Sequence, residues 1–311
     1  MKFEGIYTPL ITPYGDDFAI DYNGLGNIIE HLIESGVTGV ISGGTTGEYY
    51  SQSDKERIAL MRFVNQQVKG RVRVMAGVGA LRTEEAEQFA EQAKAIGVDA
   101  ILVNAPSYVL PTQLELAEHA LAIDRAANLP IMLYNYPGRT GTMMGAEFLD
   151  RVSDSTNFAA IKESSGDINQ LHMLAQEYPQ LQLSCGMDDQ ALEFFAWGAT
   201  SWVAAGANCL AREHVALYQA CAINNDFATG RRIMSAMMPF LQVLEQGGKF
   251  TQSVKYGCEL SGLTGGRVRK PLLELNEDDK RQVERVIDTM RTRVAQITDQ
   301  QLQEGTSAVA V

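Results

Sequence analysis

The segment IMLYNYPGRTGTMMGAEFLDRVSDSTNFAAIK, residues 131–162, holds a complete strand–helix–strand unit. Residues 131–135 and 158–162 are short and largely apolar, and residues 146–153 between them have helical periodicity. Strands that are apolar throughout, instead of alternating with polar residues, are typical of a parallel sheet covered by helices. The segment therefore predicts an α/β fold.

The same unit recurs along most of the chain. The predicted strands are residues 5–12, 37–42, 72–77, 100–103, 131–135, 158–162, 181–185 and 201–205. The predicted helices are residues 25–35, 54–69, 83–96, 112–128, 146–153, 167–177, 188–198 and 211–222. Eight such units fit a (β/α)8 TIM barrel better than an open doubly wound sheet, because no GxGxxG follows the first strand.

After the eighth unit the pattern changes to helices alone, predicted at residues 227–246, 251–261 and 277–297. We therefore expect a catalytic barrel over residues 1–224 and a C-terminal helical domain over residues 225–298. The last segment, residues 299–311, is polar and then small and apolar, which predicts a disordered tail.

Charge and composition argue against several classes of partner. The 311 residues include 26 Lys and Arg against 38 Asp and Glu, a formal net charge of −12, so no basic surface for nucleic acid or an anionic membrane is expected. No stretch approaches the ~18 apolar residues of a membrane span, and the cysteines lack CxxC pairing. The sequence predicts a cytoplasmic protein without nucleic-acid or membrane partners.

A TIM barrel carries its active site at the carboxyl ends of its strands, and Lys162 ends one of them. Burial disfavours the ammonium form of a lysine and lowers its pKa, and a neutral amine can attack a carbonyl to form an imine. Two alternatives stay open at this point: the Lys162 head group reaches solvent, or it pairs with Glu163.

Other strand ends carry groups that suit the same chemistry. The stretch GTTG at residues 44–47 offers backbone N–H groups and hydroxyls for a carboxylate, although these residues also suit an ordinary turn. Tyr134 and Tyr108 could move protons, with Thr45 as a relay. Arg139 could bind a second carboxylate through two hydrogen bonds, although a single loop arginine is more often solvated.

Metal chemistry is not indicated. The four histidines lie on predicted helices without the spacing of zinc ligands. Asp188 and Asp189 begin a predicted helix and are interpreted as its acidic first turn. We therefore expect neither a metal nor a cofactor, and a metal-dependent aldolase is disfavoured.

Three motifs in combination are similar to those of a known family. GTTGE at residues 44–48, YNYP at 134–137 and IKES at 161–164 occur in this order, and GIYTPLITP at residues 5–13 precedes them. On these residues the chain resembles the dihydrodipicolinate synthase and N-acetylneuraminate lyase family, from residue 5 to about residue 275. The resemblance implies a TIM barrel with a C-terminal helical extension, assembled as a homotetramer, and an enzyme that needs no cofactor.

The resemblance also implies roles for single residues. Lys162 matches the lysine that forms an imine with pyruvate or another 2-oxo acid, and Tyr134 matches the tyrosine that shuttles protons for that step. Thr45 and Tyr108 match the relay partners of this tyrosine. In the family, the residue that Tyr108 matches reaches the site from a neighbouring subunit.

Substrate-binding roles follow in the same way. Thr46, with the nearby backbone of Gly44 and Gly47, matches the group that holds the 2-oxo acid carboxylate, and Ala205 ends the eighth predicted strand beside this site. Arg139 matches the arginine by which the synthase branch binds the carboxylate of aspartate semialdehyde.

The chain departs from the synthase pattern at three places. FTQSVK at residues 250–255 stands where the lysine-biosynthetic synthases usually carry NPIPVK, Ser107 replaces an aromatic residue, and GGRVR at residues 265–269 is more similar to catabolic members. We expect a dihydrodipicolinate synthase-like condensation of pyruvate with aspartate semialdehyde. The alternatives are a 2-oxo-3-deoxy sugar acid aldolase or dehydratase, a deaminase of a hydroxyproline-derived pyrroline carboxylate and, more remotely, a non-catalytic barrel that binds a 2-oxo acid.

Overall fold

The structure, a computed structural model, describes residues 1–308 and the side chains of residues 1–300. Its eight strands are β1 (Gly5–Pro9), β2 (Gly39–Ser42), β3 (Arg73–Gly77), β4 (Ala100–Asn104), β5 (Ile131–Asn135), β6 (Phe158–Glu163), β7 (Gln182–Cys185) and β8 (Ser201–Val203). All neighbours are parallel, and β1 pairs with both β2 and β8. The sheet is therefore a closed barrel, and the predicted TIM barrel is confirmed.

Helices follow the strands and form the outer layer. They are α1 (Tyr22–Glu34), α2 (Asp54–Val68), α3 (Thr83–Ile96), α4 (Gln113–Ala127), α5 (Pro137–Thr140), α6 (Ala146–Val152), α7 (Ile168–Glu177), α8 (Ala191–Ala196), α9 (Ala207–Tyr218), α10 (Phe227–Gln246), α11 (Phe250–Leu260) and α12 (Glu277–Ala308). Capping boxes fix the start of two of them: Ser53 with Glu56 before α2, and Thr112 with Glu115 before α4.

The barrel has two apolar cores because successive strand residues point to opposite faces of the sheet. The inner core fills the barrel and includes Tyr7, Ile41, Met75, Met132 and Ala160. The outer core lies between the sheet and the helices and is built from the other strand positions. Lys162 has the same parity as Ala160, so the strand directs its side chain into the barrel.

Three local elements differ from the prediction. The one-turn helix α5 was not predicted, because four residues are too few to show periodicity; Pro137 at its first position has the backbone angle a helix start needs. The predicted helix 188–198 is a 3₁₀ turn (Asp188–Gln190) followed by α8. Helix α9 starts at Ala207, before the predicted residue 211, and has a kink at Leu210.

The C-terminal helices lie against the mouth of the barrel. Helix α10 contacts the 3₁₀ turn Asp188–Gln190, and α11 contacts a second 3₁₀ turn, Thr45–Gly47. The division into domains at residue 224 remains a prediction. Helix α12 continues to Ala308, within the segment 299–311 predicted to be disordered, and residues 309–311 lie outside the described residues. None of the helices over residues 1–308 combines the length and apolarity needed to cross a bilayer.

Candidate active site

A pocket opens at the carboxyl ends of the barrel strands. It is lined by Pro9, Thr45, Thr46, Tyr134, Tyr136, Arg139, Lys162, Gly186, Asp188, Val203, Ala205, Glu245 and Phe250. Of the nine site residues proposed from the sequence, six line this pocket: Lys162, Tyr134, Thr45, Thr46, Arg139 and Ala205. The strand ends therefore bring together side chains that are far apart in the chain.

Lys162 is the buried amine of this pocket, with 7% of its surface exposed. It is aligned with Tyr134 on β5 and with Ser184 on β7. Its neighbour Glu163 accepts hydrogen bonds from Asn135 Nδ2 (2.6 Å) and Ser165 N (2.5 Å). Glu163 is thus engaged outside the barrel, and both alternatives for Lys162, a solvated head group and a pair with Glu163, are wrong.

The environment of Lys162 favours the neutral amine. Burial lowers its pKa to about 8, although the carboxylates of Asp188 and Glu245 act in the opposite direction. Lys162 Nζ lies 3.8 Å from the centroid of the Tyr134 ring. Roughly a tenth of the Lys162 amine is therefore unprotonated at pH 7, far more than for an ordinary lysine, and it lies next to a phenol.

Tyr134 lies between Lys162 and the Thr45 turn. Burial raises the pKa of its hydroxyl, and the positive charge of Arg139 and a hydrogen bond with Thr45 partly oppose that rise. The phenol therefore keeps its proton at neutral pH, and Thr45 is its hydrogen-bonding neighbour. This arrangement suits transfer of a proton between substrate and Thr45 through the Tyr134 hydroxyl.

The GTTG stretch forms the 3₁₀ turn Thr45–Gly47 rather than an open loop. Thr45 and Thr46 line the pocket, and Gly44 and Gly47 flank them without lining it. Gly47 N donates to Gly44 O (3.1 Å), and Gly47 O accepts from Thr12 Oγ1 (2.8 Å). Both backbone groups of Gly47 are hydrogen-bonded within the protein, and the carboxylate-binding role expected of Gly44 and Gly47 stays a prediction.

Position 47 requires a glycine for steric reasons. A Cβ at Gly47 would lie 2.7 Å from Leu10 O, so no larger residue fits without moving the backbone. Gly44 has no such constraint, since the nearest atom to a Cβ there is 3.7 Å away. The turn is therefore pressed against the end of β1, and it presents Thr45 and Thr46 to the pocket.

Arg139 and Tyr108 occupy different positions relative to the pocket. Arg139, on α5, is exposed at the rim, with its guanidinium carbon 5.2 Å from the centroid of the Tyr136 ring. Tyr108 lies on the loop after β4, is 91% exposed, and does not line the pocket of its own chain. A single chain therefore assembles every proposed catalytic side chain except Tyr108.

Asp188 and Glu245 are pocket residues that the sequence analysis did not assign. Asp188, interpreted as a helix-start residue, is 2% exposed, and its Oδ1 accepts from Trp202 Nε1 at 2.8 Å. Glu245 comes from the end of α10, and its Oε1 accepts from Asp188 N at 3.4 Å. Burial raises the pKa of both carboxyl groups, and the negative charge of Asp188 raises that of Glu245 further.

Of these two pocket residues, only Asp188 could have been identified from the local sequence. It follows β7 directly, at the same edge as the other candidates, whereas nothing near Glu245 in the sequence marks it. Among the described side chains no three His, Cys, Asp or Glu groups come together as metal ligands. The pocket offers an amine, two phenols, an arginine and two carboxyl groups, a set suited to imine formation and proton transfer on an anionic carbonyl compound.

Comparison with known proteins relates the whole chain to one family. A profile of the dihydrodipicolinate synthetase family matches residues 2–290. The 4-hydroxy-tetrahydrodipicolinate synthase of Bacillus velezensis is 32% identical over 291 residues, which cover 93% of this chain and 100% of that protein.

Solved structures give the same relation. The 4-hydroxy-tetrahydrodipicolinate synthase from Methylacidiphilum fumariolicum SolV superposes with a TM-score of 0.90 at 29% identity, over 96% of this chain and 99% of that one. YagE, an E. coli K12 prophage protein of the dihydrodipicolinic acid synthase family solved in complex with pyruvate, gives 0.88 at 26% identity, over 94% and 99%.

Proposed function

The chain belongs to the dihydrodipicolinate synthetase family, and from that premise we propose that it is a lyase or synthase that forms an imine between Lys162 and pyruvate or a related 2-oxo acid. The observation that carries this proposal is the buried Lys162 amine beside the Tyr134 ring, at the carboxyl ends of the strands. The YagE complex, in which a relative of the same fold binds pyruvate, supports the substrate class.

The imine explains why one lysine can replace a cofactor. The protonated imine withdraws electrons from the adjacent carbon, so a carbanion at that carbon becomes a neutral enamine. Carbon–carbon bonds at that same carbon can then be made or broken, and a hydroxyl on the next carbon can be eliminated. Thr46, with the nearby backbone, would hold the 2-oxo acid carboxylate. Tyr134, with Thr45 as its relay partner, would move protons to and from the departing carbonyl oxygen.

For the second substrate, we propose aspartate semialdehyde first, as in a dihydrodipicolinate synthase. Arg139 lines the pocket at its rim, where a guanidinium can bind a carboxylate through two hydrogen bonds. The curated relatives named as 4-hydroxy-tetrahydrodipicolinate synthases support this choice.

A second candidate is a catabolic reaction, either a 2-oxo-3-deoxy sugar acid aldolase or dehydratase, or a pyrroline-carboxylate deaminase. Glu245 favours it, because a buried carboxyl group of raised pKa can donate a proton to departing water or ammonia. The FTQSVK stretch at residues 250–255, with Phe250 in the pocket lining, also differs from the synthase motif.

Assembly of the chain into a homotetramer is part of the same proposal. The exposed Tyr108 would complete the Thr45 and Tyr134 relay of a neighbouring subunit in a homotetramer. A cytoplasmic location and the independence from cofactors, both expected from the sequence, are proposed with it.

The decisive experiment traps the imine on Lys162 by reduction. The protein is incubated with each of a panel of 2-oxo acids, including pyruvate, and reduced with borohydride, and the modified peptide is identified by mass spectrometry. We expect an adduct on Lys162, none on the equally buried Lys255, and none anywhere in the Lys162→Ala variant. Absence of an adduct with every 2-oxo acid would refute the proposal.

A second assay separates the reactions. Condensation of pyruvate with aspartate semialdehyde is followed with a coupled reductase, and the sugar-acid and pyrroline substrates are followed by release of pyruvate, water or ammonia. Turnover of the semialdehyde supports the synthase, and turnover of the others supports the catabolic candidate. An adduct without turnover of any substrate would indicate the non-catalytic barrel.

A further inference from the structure

The two carboxyl groups in the pocket lie on the opposite side of Lys162 from Tyr134. Tyr134 is on β5 and Asp188 follows β7, and these strands are the two neighbours of β6. Glu245 is brought to the same side because α10 packs on the turn Asp188–Gln190. An imine on Lys162 would therefore have a phenol on one side and carboxyl groups on the other.

The Asp188 carboxylate is engaged by the protein. Its Oδ1 accepts from Trp202 Nε1 at 2.8 Å and its Oδ2 accepts from Gly206 N at 3.5 Å. A carboxylate with both oxygens hydrogen-bonded to buried donors is held in one orientation, and its ionised form is favoured by those donors. Asp188 thus serves as a fixed negative charge.

The Glu245 carboxyl group is held more loosely. Within the described residues it accepts a single hydrogen bond, the 3.4 Å contact from Asp188 N to Oε1. Its second oxygen, Oε2, is available to contact a ligand in the pocket that Glu245 lines. Burial and the nearby Asp188 charge raise its pKa, and a base whose pKa is close to the working pH is the most effective proton carrier.

We propose that Glu245 is a catalytic residue, the acid–base group that removes and returns a proton at the carbon next to the imine carbon of a 2-oxo acid bound to Lys162. The inference rests on the proposed function. In this step the C3–H bond breaks and its electron pair forms the C2=C3 bond. The π pair of the protonated imine moves to nitrogen, which becomes neutral, and Glu245 becomes a carboxylic acid.

The layout of the barrel supports this direction of transfer. The Thr45–Gly47 turn follows β2, which lies across the eight-stranded barrel from β6. A 2-oxo acid joined to Lys162 with its carboxylate at Thr46 would span the pocket. Because Tyr134 occupies the β5 side, next to the nitrogen, the β7 side with Glu245 is the one left for a base at C3.

The test measures proton exchange without a second substrate. The protein is incubated in D2O with the 2-oxo acid that gives the largest borohydride adduct, pyruvate in the first instance, and loss of its C3 protons is followed by NMR. In Glu245→Gln we expect exchange at least tenfold slower, with the yield of the Lys162 adduct unchanged. Glu245→Asp keeps a carboxyl group and should exchange at an intermediate rate.

The matched control is Glu193→Gln, which removes an exposed glutamate of α8 and should leave exchange at the wild-type rate. Wild-type exchange in Glu245→Gln with a normal adduct would overturn the inference and leave the proposed function intact. Equal loss of adduct and exchange in both Glu245 variants would also overturn it, because Glu245 would then act in imine formation. Failure of the wild-type protein to form any adduct would refute the proposed function itself.

Discussion

Lys255 Nζ lies 2.5 Å from Glu48 Oε1, in an ion pair whose side chains are 3% and 0% exposed. Glu48 ends the GTTGE motif with a left-handed backbone (φ 59°), and Lys255 belongs to α11. Glu48 Oε2 also accepts from Arg269 N at 2.9 Å. The pair therefore ties the C-terminal helices to the turn that presents Thr45 and Thr46 to the pocket.

Breaking the ion pair between Lys255 and Glu48 should lower the stability of the protein strongly. Lys255→Met leaves Glu48 buried without its counter-charge, and we expect the free energy of unfolding to fall by about 3–5 kcal/mol in denaturant titrations. Arg71→Met, at the exposed pair with Glu30, should lower it by less than about 1 kcal/mol. Adding Glu48→Gln to Lys255→Met should restore part of the stability. Equal losses for the buried and exposed pairs would contradict this account.

The pH dependence of imine formation should follow Lys162. Only the neutral amine attacks a carbonyl, so the initial rate with pyruvate should rise with pH, with a midpoint at about 8, and level off above it. Because Asp188 holds the pKa of Lys162 up, Asp188→Asn should move the midpoint to lower pH. The measurement is a pH series of quenched, borohydride-trapped samples. A rate that is still rising steeply above about pH 10, as for an ordinary lysine, would show that Lys162 is not desolvated.

Arg139 should act on the second substrate. If the protein condenses pyruvate with aspartate semialdehyde, Arg139→Ala should raise KM for the semialdehyde by about 10–100-fold, because a charge-assisted pair with its carboxylate is lost. The KM for pyruvate should change little. Arg151→Ala, at an exposed pair with Glu147 on α6, serves as the control. Equal increases in both KM values would make Arg139 a structural residue.

Gly186 should tolerate no side chain. A Cβ there would lie 1.9 Å from Ser164 Oγ, 2.7 Å from Glu163 O and 2.8 Å from Lys162 Cγ. Gly186→Ala should therefore displace the end of β6, lower stability by about 1–3 kcal/mol and reduce trapping at Lys162. Gly26→Ala, in α1 with its nearest neighbour at 3.7 Å, should lower neither stability nor trapping. Full trapping in Gly186→Ala would show that the Lys162 position is less constrained than the distances imply.

Sharing of Tyr108 between subunits predicts complementation. Lys162→Ala and Tyr108→Phe should each be nearly inactive, yet co-expressed subunits should recover up to about a quarter of wild-type activity, because a mixed two-fold pair contains one intact site. The measurement is activity of co-expressed variants against each variant alone. No recovery, with mixed oligomers verified by mass spectrometry, would place Tyr108 outside the relay.

The fold could be predicted because its signals are local. Each strand is a short apolar run and each helix has its own periodicity, and eight repeats leave few topologies. The position at the ends of predicted strands also brought Lys162 and Tyr134 together, since residues that end parallel strands meet at one edge. Helix α5 was missed because four residues cannot show a period of 3.6.

The roles of the remaining site residues could not be predicted from the local sequence. Asp188 was interpreted as a helix-start residue from its local sequence. The hydrogen bonds that hold it in the pocket come from Trp202 and Gly206, later in the chain, and the local sequence does not show them. Glu245 lies 57 residues from its partner Asp188 and belongs to a helix outside the barrel repeats. Gly47 could be seen as a turn residue, but only the structure shows that Leu10 O leaves no room for a Cβ there and that Thr12 Oγ1 donates to its carbonyl.

The sequence by itself determined the barrel, the lysine near the end of β6 and the family motifs, because these depend on residue order and alternation over short distances. Only the tertiary structure decided that Lys162 is desolvated, that Glu163 points away from it, and that carboxyl groups from α10 and from the turn after β7 lie on one side of it. Burial and electrostatic coupling arise when distant segments exclude water from a shared space, and no property of a single segment contains that information.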